Sequence, residues 1–350
     1  LLVCTRATIG ESAINTVPMS TNQGFKNLIP NSKTIVEYVF YSLQNNLYRL
    51  KSLGAGSTFF EVSKRDFSKF KLPLPPLPEQ KKIAEILSTW DEAIDAQVQL
   101  IEQKKLRKKG LMQQLLTGKK RFKEFVKSTN SSDKDPESSS GRVVPKGYKE
   151  TRVGVIPEDW EVVRLDKVLK LTLREVEKPL DSFKKLGIRS HVKGTFLNLD
   201  FNPSDIAIDK MYVIKENDLI VNITFAWEGA IAIATKLDEG ALVSHRFPTY
   251  TFKNSESNNF FRHFIHNKRF RFSLELISPG GAGRNRVMRK KEFLEILIPL
   301  PPLPEQQKIA SVLSAADEEI DLLEQELEQM RLQKKGLMQK LLTGEVRVKM

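Results

Sequence analysis

The chain holds 350 residues, with 56 Lys plus Arg against 43 Asp plus Glu and a formal net charge of +13. That length admits two or three domains, and the basic excess suits a polyanionic partner such as nucleic acid. An apolar content of 40% excludes wholesale disorder, the lack of any run of about 18 apolar residues argues against a membrane span, and a lone cysteine excludes a disulfide framework or cysteine-rich zinc module.

In chain order, residues 1–72 form a first head. It opens on Leu1-Leu2-Val3-Cys4, the pattern of a buried strand without an initiating Met, so we expect the start of this copy to be missing; Cys4 reads as a small core residue. No basic segment followed by an apolar one marks a secretory leader. Residues 73–120 form a first helical spacer. After Pro78 the prolines stop and the apolar spacing alternates between three and four, as in a coiled-coil seam: Ile83, Leu87, Ile94, Ile101, Leu111 and Leu115, with Gln97, Lys104 and Lys108 as polar members. The helix should run about 58 Å. Gly110 inside it costs about 1 kcal/mol relative to alanine, which points to a close helix approach or a kink. Residues 121–145 are a flexible linker on composition, with a polar, Ser-rich stretch at 128–141.

Residues 146–297 form a second head and residues 298–350 a second spacer, with seam residues Ile309, Leu313, Ile320, Leu327, Leu337 and Leu341 and a glycine at Gly336. Residues 73–118 align on 299–344 without a gap at an offset of 226, and 31 of the 46 positions are identical. Fainter matches, Phe67 on Phe293, Gly54 on Gly280 and Leu1-Leu2-Val3 on Leu219-Ile220-Val221, carry the repeat into the heads. The chain is thus two cassettes, each a variable head and a near-identical tail. Two such helices can pair antiparallel, which would make a spacer of pseudo-two-fold symmetry with a head at each end.

In the second head, strand-like runs at 160–163, 218–223, 229–235 and 247–252 precede one helical stretch at 257–277, which predicts an α+β domain with a largely antiparallel sheet. From Phe260 to Lys291 nine basic residues face the single acid Glu275, with phenylalanines interleaved. A solvated basic face would explain part of this. The loop from Gly280 to Arg286 is more pointed, since its glycines allow close backbone approach and Arg284 and Arg286 offer fork-shaped donors. The first head has Gly54-Ala55-Gly56-Ser57-Thr58 there. There is no P-loop, no G-x-G-x-x-G and no Asn-Pro-Pro-Tyr element. His263 and His266 lack a third ligand nearby and read as surface polar groups rather than a metal site.

The doubled P-L-P-P-L-P-E-Q-x-K-I-A element, followed by a helix ending in K-K-G-L-M-Q-x-L-L-T-G, resembles the specificity subunit of type I restriction-modification systems. The opening of the second head, Gly154-Val155-Ile156-Pro157-Glu158-Asp159-Trp160, is similar to the start of that family's target recognition domains, as are the strand and turn at residues 3–10 and 20–24. The resemblance implies an α+β chain of two mixed sheet/helix target recognition domains separated by two long helices that form an antiparallel coiled coil. It implies a non-catalytic subunit whose heads each read half of a bipartite double-stranded DNA site. Two copies of a methyltransferase subunit and a restriction/translocase subunit would be its partners, in the cytoplasm. S-adenosylmethionine and ATP would be used by those partners, with no cofactor or metal bound by this chain. On loop position and donor chemistry, Arg6, Thr8, Asn22, Gln23, Ser57 and Thr58 are the DNA-contacting candidates of the first head, and Trp227, His245, Arg246, Arg284, Asn285 and Arg286 those of the second. A scaffold that uses its coiled coil only for assembly would leave the basic glycine loops unexplained, and a self-contained nuclease or methyltransferase would need a fold for which no segment is left.

Overall fold

The computed structural model describes residues 1–54, 60–126, 144–254, 257–280 and 286–349. The Ser-rich stretch read as the linker's centre lies outside them. Contacts divide the chain into two compact units, Leu1–Lys104 with Glu319–Met350, and Lys105–Glu318.

In the first unit β1 (Leu2–Cys4) lies between β2 (Ser12–Ala13) and β3 (Phe25–Asn27), antiparallel to both, with Leu2 opposite Ala13 and Asn27. Helices α1 (Val36–Asn45), α2 (Leu47–Lys51) and α3 (Lys64–Ser68) follow. Val3 is fully buried and joins Leu1, Ile9, Leu43, Leu50 and Val62 in a small core. Cys4 sits at that core's edge, half-buried, with its Sγ donating to the Arg6 carbonyl at 2.9 Å. α1 turns Tyr38 and Tyr41 onto Ile83, Ala84 and Leu87 of the helix α4 (Leu77–Leu115) and onto Leu341 and Leu342 of α9 (Leu303–Thr343).

Both long helices start where sequence places them. Pro78 and Pro304 fall in the first turn, where a missing N–H leaves no bond unmade. The adjoining glutamine fastens each start: Gln80 donates to the Pro75 carbonyl at 2.8 Å, and Gln306 to the Pro301 carbonyl at 2.8 Å. In the first unit Lys334 pairs with Asp91, Gln97 donates to the Leu323 carbonyl at 3.1 Å, and Lys104 pairs with Glu319. One numbering rises as the other falls, so the helices are antiparallel there. The second unit continues the pattern with Lys108 on Asp317. These bonds account for the polar seam positions, which are paired with the facing helix instead of packed. Of the apolar seam residues, Ile83, Leu87, Ile101, Leu115, Ile309, Leu313, Ile320, Leu327 and Leu341 are buried, while Ile94, Leu111 and Leu337 are half-buried.

The expectation for Gly110 and Gly336 is corrected. A Cβ at either would meet nothing within 4 Å among the described residues, and both helices run through without interruption.

The second unit begins with the end of α4 and a 3-10 turn at Lys123–Phe125. Residues 121–126, assigned to the linker from composition, are therefore ordered, with the Arg121 side chain only 7% exposed. A hairpin of β4 (Tyr148–Thr151) and β5 (Gly154–Pro157) leads to β6 (Glu161–Arg164), the short helix α5 (Leu165–Val168), β7 (Leu169–Leu171) and β8 (Glu175–Glu177). Next come β9 (Phe183–Ile188), β10 (Thr195–Phe201), β11 (Lys210–Val213), β12 (Leu219–Val221), β13 (Ile231–Ile233), β14 (Leu242–Val243) and β15 (Thr249–Phe252). Two sheets result, ordered β10-β9-β14-β11-β8 and β13-β12-β15-β7, antiparallel except where β14 runs parallel to β9. The predicted helix at 257–277 is two helices, α6 (Asn258–Phe264) and α7 (Lys268–Leu276). The break lies at Asn267, whose side chain accepts from the Arg269 and Phe270 amides and so caps α7. α8 (Lys290–Glu295) and β16 (Leu297–Leu300), paired with β6, lead into α9. Trp160, Tyr250, Phe260, Phe261, Phe264 and Phe293 centre the core, against Leu115 at the end of α4, the following Leu116, and Ile309 and Leu313 of α9.

Candidate nucleic-acid interface

Each head ends its central strand in the same backbone frame. In the first, the Thr5 amide after β1 donates to the Gly24 carbonyl at 2.7 Å, and the Val62 amide before α3 donates to the Thr5 carbonyl at 2.8 Å. In the second, the Ile223 amide after β12 donates to the Arg246 carbonyl at 3.0 Å, and the Met288 amide before α8 donates to the Ile223 carbonyl at 2.8 Å. β12 also lies between β13 and β15 as β1 lies between β2 and β3. The turn at 22–24 thus corresponds to that at 244–246: Asn22 Oδ1 accepts from the Gly24 amide at 2.9 Å, and Ser244 Oγ from the Arg246 amide at 3.4 Å. Gln23 and His245 occupy equivalent tips, and both are exposed.

The first head gathers its described candidates at one place. Arg6, Thr8, Asn22 and Gln23 line an open cavity of about 630 Å³ with Cys4 and Phe60 at its border. The turn is tight: Ala7 takes a left-handed φ of 59°, and the Thr8 amide donates back to the Arg6 carbonyl at 2.7 Å. Such strain on a non-glycine residue is held only where its surroundings fix it. Ser57 and Thr58 lie outside the described residues.

The second head divides its candidates between two neighbouring turns. Arg286 stacks 5.1 Å from the Trp227 ring centroid and approaches Glu275 at 3.6 Å, so its guanidinium is oriented by both. Arg246 and His245 are exposed on the next turn, where Lys290 Nζ holds the His245 carbonyl at 3.1 Å. Arg284 and Asn285 lie outside the described residues.

Several basic residues of the run from 260 to 291 serve structure instead. Arg262 donates to Asn217 Oδ1 at 2.8 Å and to the Ala234 carbonyl at 3.2 Å, and burial lowers its pKa. Arg269 donates to the Arg152 carbonyl at 2.8 Å. The reading of His263 as a surface group is corrected too: it is buried, bonds Ser314 Oγ at 3.1 Å, and lies 3.8 Å from Asp317. Burial holds its pKa down at about 4. Among the described residues no three His, Cys, Asp or Glu side chains group as a metal site would require.

Sequence reasoning missed a buried pair that ties the second head to the long helices. Glu305, 1% exposed, accepts from Arg121 Nε at 2.9 Å and Nη2 at 2.6 Å and from Trp160 Nε1 at 2.9 Å, while Asp159 holds the same arginine. The first unit repeats the arginine–glutamate pair at the 226-residue offset, between the residues that follow α9 and the start of α4, with Arg347 Nε and Nη2 on Glu79 at 3.0 and 2.6 Å. The repeated Glu of P-L-P-E-Q was the available signal.

Two differing surfaces on one repeated backbone frame, in a chain with two long helices of repeated sequence, are the features of a recognition protein built by duplication. A family model, the type I restriction modification DNA specificity domain, matches residues 1–129 and 157–331. The chain is 31% identical over 324 residues to the type I restriction enzyme MjaVIII specificity subunit of Methanocaldococcus jannaschii, covering 89% of this chain and 70% of that one. It is also 31% identical over 333 residues to a putative MjaX specificity subunit from the same organism, covering 92% and 71%. The fold is similar to the crystal structure of a type I restriction-modification S subunit from M. genitalium, with a TM-score of 0.56 at 15% identity over 97% of this chain and 82% of that one. The chain belongs to the type I restriction-modification specificity subunits. It is a non-catalytic DNA-recognition subunit of such a system. Among the described residues no helix is long and apolar enough to cross a membrane.

Proposed function

We propose that each head reads one half of a bipartite double-stranded DNA site, and that the paired helices fix the gap between halves and dock two copies of a methyltransferase subunit. A restriction/translocase subunit joins that assembly in the cytoplasm, and S-adenosylmethionine and ATP are used by the partners. The observation that carries this reading is the shared frame after β1 and β12. Its backbone bonds repeat, while its exposed tips differ, Asn22-Gln23 in one head and His245-Arg246 in the other. Same scaffold with different donors suits two readers of different sequences, since base edges are told apart by donor and acceptor pattern in the major groove. The net charge of +13 favours the phosphate contacts that position a duplex without reading it.

The test is methylation mapping of genomic DNA from cells that express this chain with its methyltransferase subunit. Gln23→Ala should relax positions in one half of the motif, and Arg246→Ala positions in the other, each lost base contact costing about 1 to 3 kcal/mol of discrimination. Methylation independent of this chain, or both variants altering the same block of bases, would overturn the reading.

A further inference from the structure

The β9–β10 hairpin offers a second reading surface in the second head. Its register sets Lys185 opposite Asn198 and Gly187 opposite Phe196, with Leu186 opposite Leu197 on the other side. Leu186 and Ile188 are buried in the core, which commits Lys185, Asn198 and Phe196 to the face that looks away from it. A Cβ on Gly187 would lie 2.3 Å from the Phe196 ring. Glycine there lets the ring lie across the strand, where it stays 47% exposed. β14 pairs alongside, with Leu242 beside Lys185, and runs directly into Ser244, His245 and Arg246. The hairpin face and that turn enclose an open cavity of about 630 Å³.

Lys185 meets an aromatic ring and no carboxylate: its ammonium stands 3.6 Å above the Phe201 ring, and among the described residues no carboxylate lies within ion-pair distance of it. Burial lowers its pKa, and the more distant Asp205 opposes the shift. Asn198, exposed and lining the same cavity, accepts at Oδ1 from the Asp200 amide at 3.3 Å, which leaves its side-chain NH2 to donate elsewhere. A two-stranded ribbon of this width fits the major groove.

We propose that this hairpin face is a base-reading wall of the second head, in which Lys185 and Asn198 donate to purine edges and Phe196 packs against a thymine methyl group. The assignment rests on the DNA-reading function above and adds three residues to it. Lysine suits guanine O6 and N7, asparagine suits adenine N6 and N7, and an apolar ring suits the thymine methyl.

The experiment uses the full chain with its methyltransferase subunit. Methylation motifs are mapped for Lys185→Met, Asn198→Ala and the pair, beside Arg246→Ala. The expected result is a loss of preference of about 5- to 150-fold at one or two adjacent positions of the half-site that Arg246→Ala also alters. A second measurement leaves the protein intact: duplexes carrying 7-deazapurines through that half-site should lose affinity at one position for the unaltered chain, and not for the pair variant. An unchanged motif in both Lys185→Met and Asn198→Ala, with Arg246→Ala still relaxing the half-site, overturns the hairpin proposal alone. A uniform loss across sequences, with a salt slope reduced by about one per lysine removed, marks a phosphate contact and also overturns it. If no methylation depends on this chain, the underlying function is what fails.

Discussion

Replacing Arg121 by methionine removes the charge that compensates Glu305. The Glu305 side chain is 1% exposed and that of Arg121 7%, so water cannot take the place of the two bonds at 2.9 and 2.6 Å. Leaving one partner of a buried pair uncompensated costs about 3 to 5 kcal/mol. For a unit of this size, at roughly 2 to 4 °C per kcal/mol, that is a drop in midpoint of about 6 to 20 °C. Glu305→Gln should cost less, because the amide oxygen still accepts from Trp160 and Arg121 keeps Asp159. Arg347→Met, in the equivalent pair of the first unit, removes a side chain that is 70% exposed from a glutamate that is 7% exposed, and should cost less than Arg121→Met because water can reach the vacated place. The assay is thermal unfolding of the full chain, with hydrogen exchange across residues 157–168 to assign the lost stability to the second unit. A cost below about 1 kcal/mol for Arg121→Met, or an equal loss for Arg347→Met, would refute the reasoning from burial.

Two further outcomes follow from single residues. His263 has its pKa lowered by burial to about 4, against about 6.5 in an unfolded chain. The unfolded state therefore binds the proton first, and stability is lost as pH falls from about 6.5 toward 4, by at most about 1.4 kcal/mol per pH unit. Denaturation midpoints of His263→Gln should show a shallower pH slope in that window, and an unchanged slope would contradict the assignment. Gly110→Ala and Gly336→Ala fill open space in helix interiors and should each stabilise the isolated chain by about 0.5 to 1 kcal/mol in chemical denaturation. Destabilisation would show that a neighbour unseen among the described residues crowds the glycine.

The long helices were legible because proline punctuation, a seven-residue seam and an ungapped repeat all specify them locally. The turns carrying Arg6, Thr8, Asn22, Gln23, His245 and Arg246 were legible for a related reason: short polar side chains and glycines mark the ends of strands that also repeat. What escaped was set by distant partners. Arg121 looked like part of a linker because Glu305 lies 184 positions away. His263 looked exposed because its covering comes from Ser314 on α9. The β9–β10 hairpin hid its alternation behind Lys184-Lys185 and Gly187, whose places are fixed by Phe196 and by β14. The single helix expected at 257–277 failed on a capping asparagine inside a run rich in phenylalanine and arginine.

The central claim, that the helices set the gap between half-sites, is tested most directly by lengthening them. One heptad inserted after Lys104 and one after Glu318, where Lys104 faces Glu319 across the pair, keeps the seam in phase. It adds about 10.5 Å of helix, or roughly 3 base pairs at 3.4 Å each. Methylation mapping should then return the same two half-sites with a gap longer by about 3 base pairs. An unchanged gap, or a motif that forms one uninterrupted block, would contradict the account.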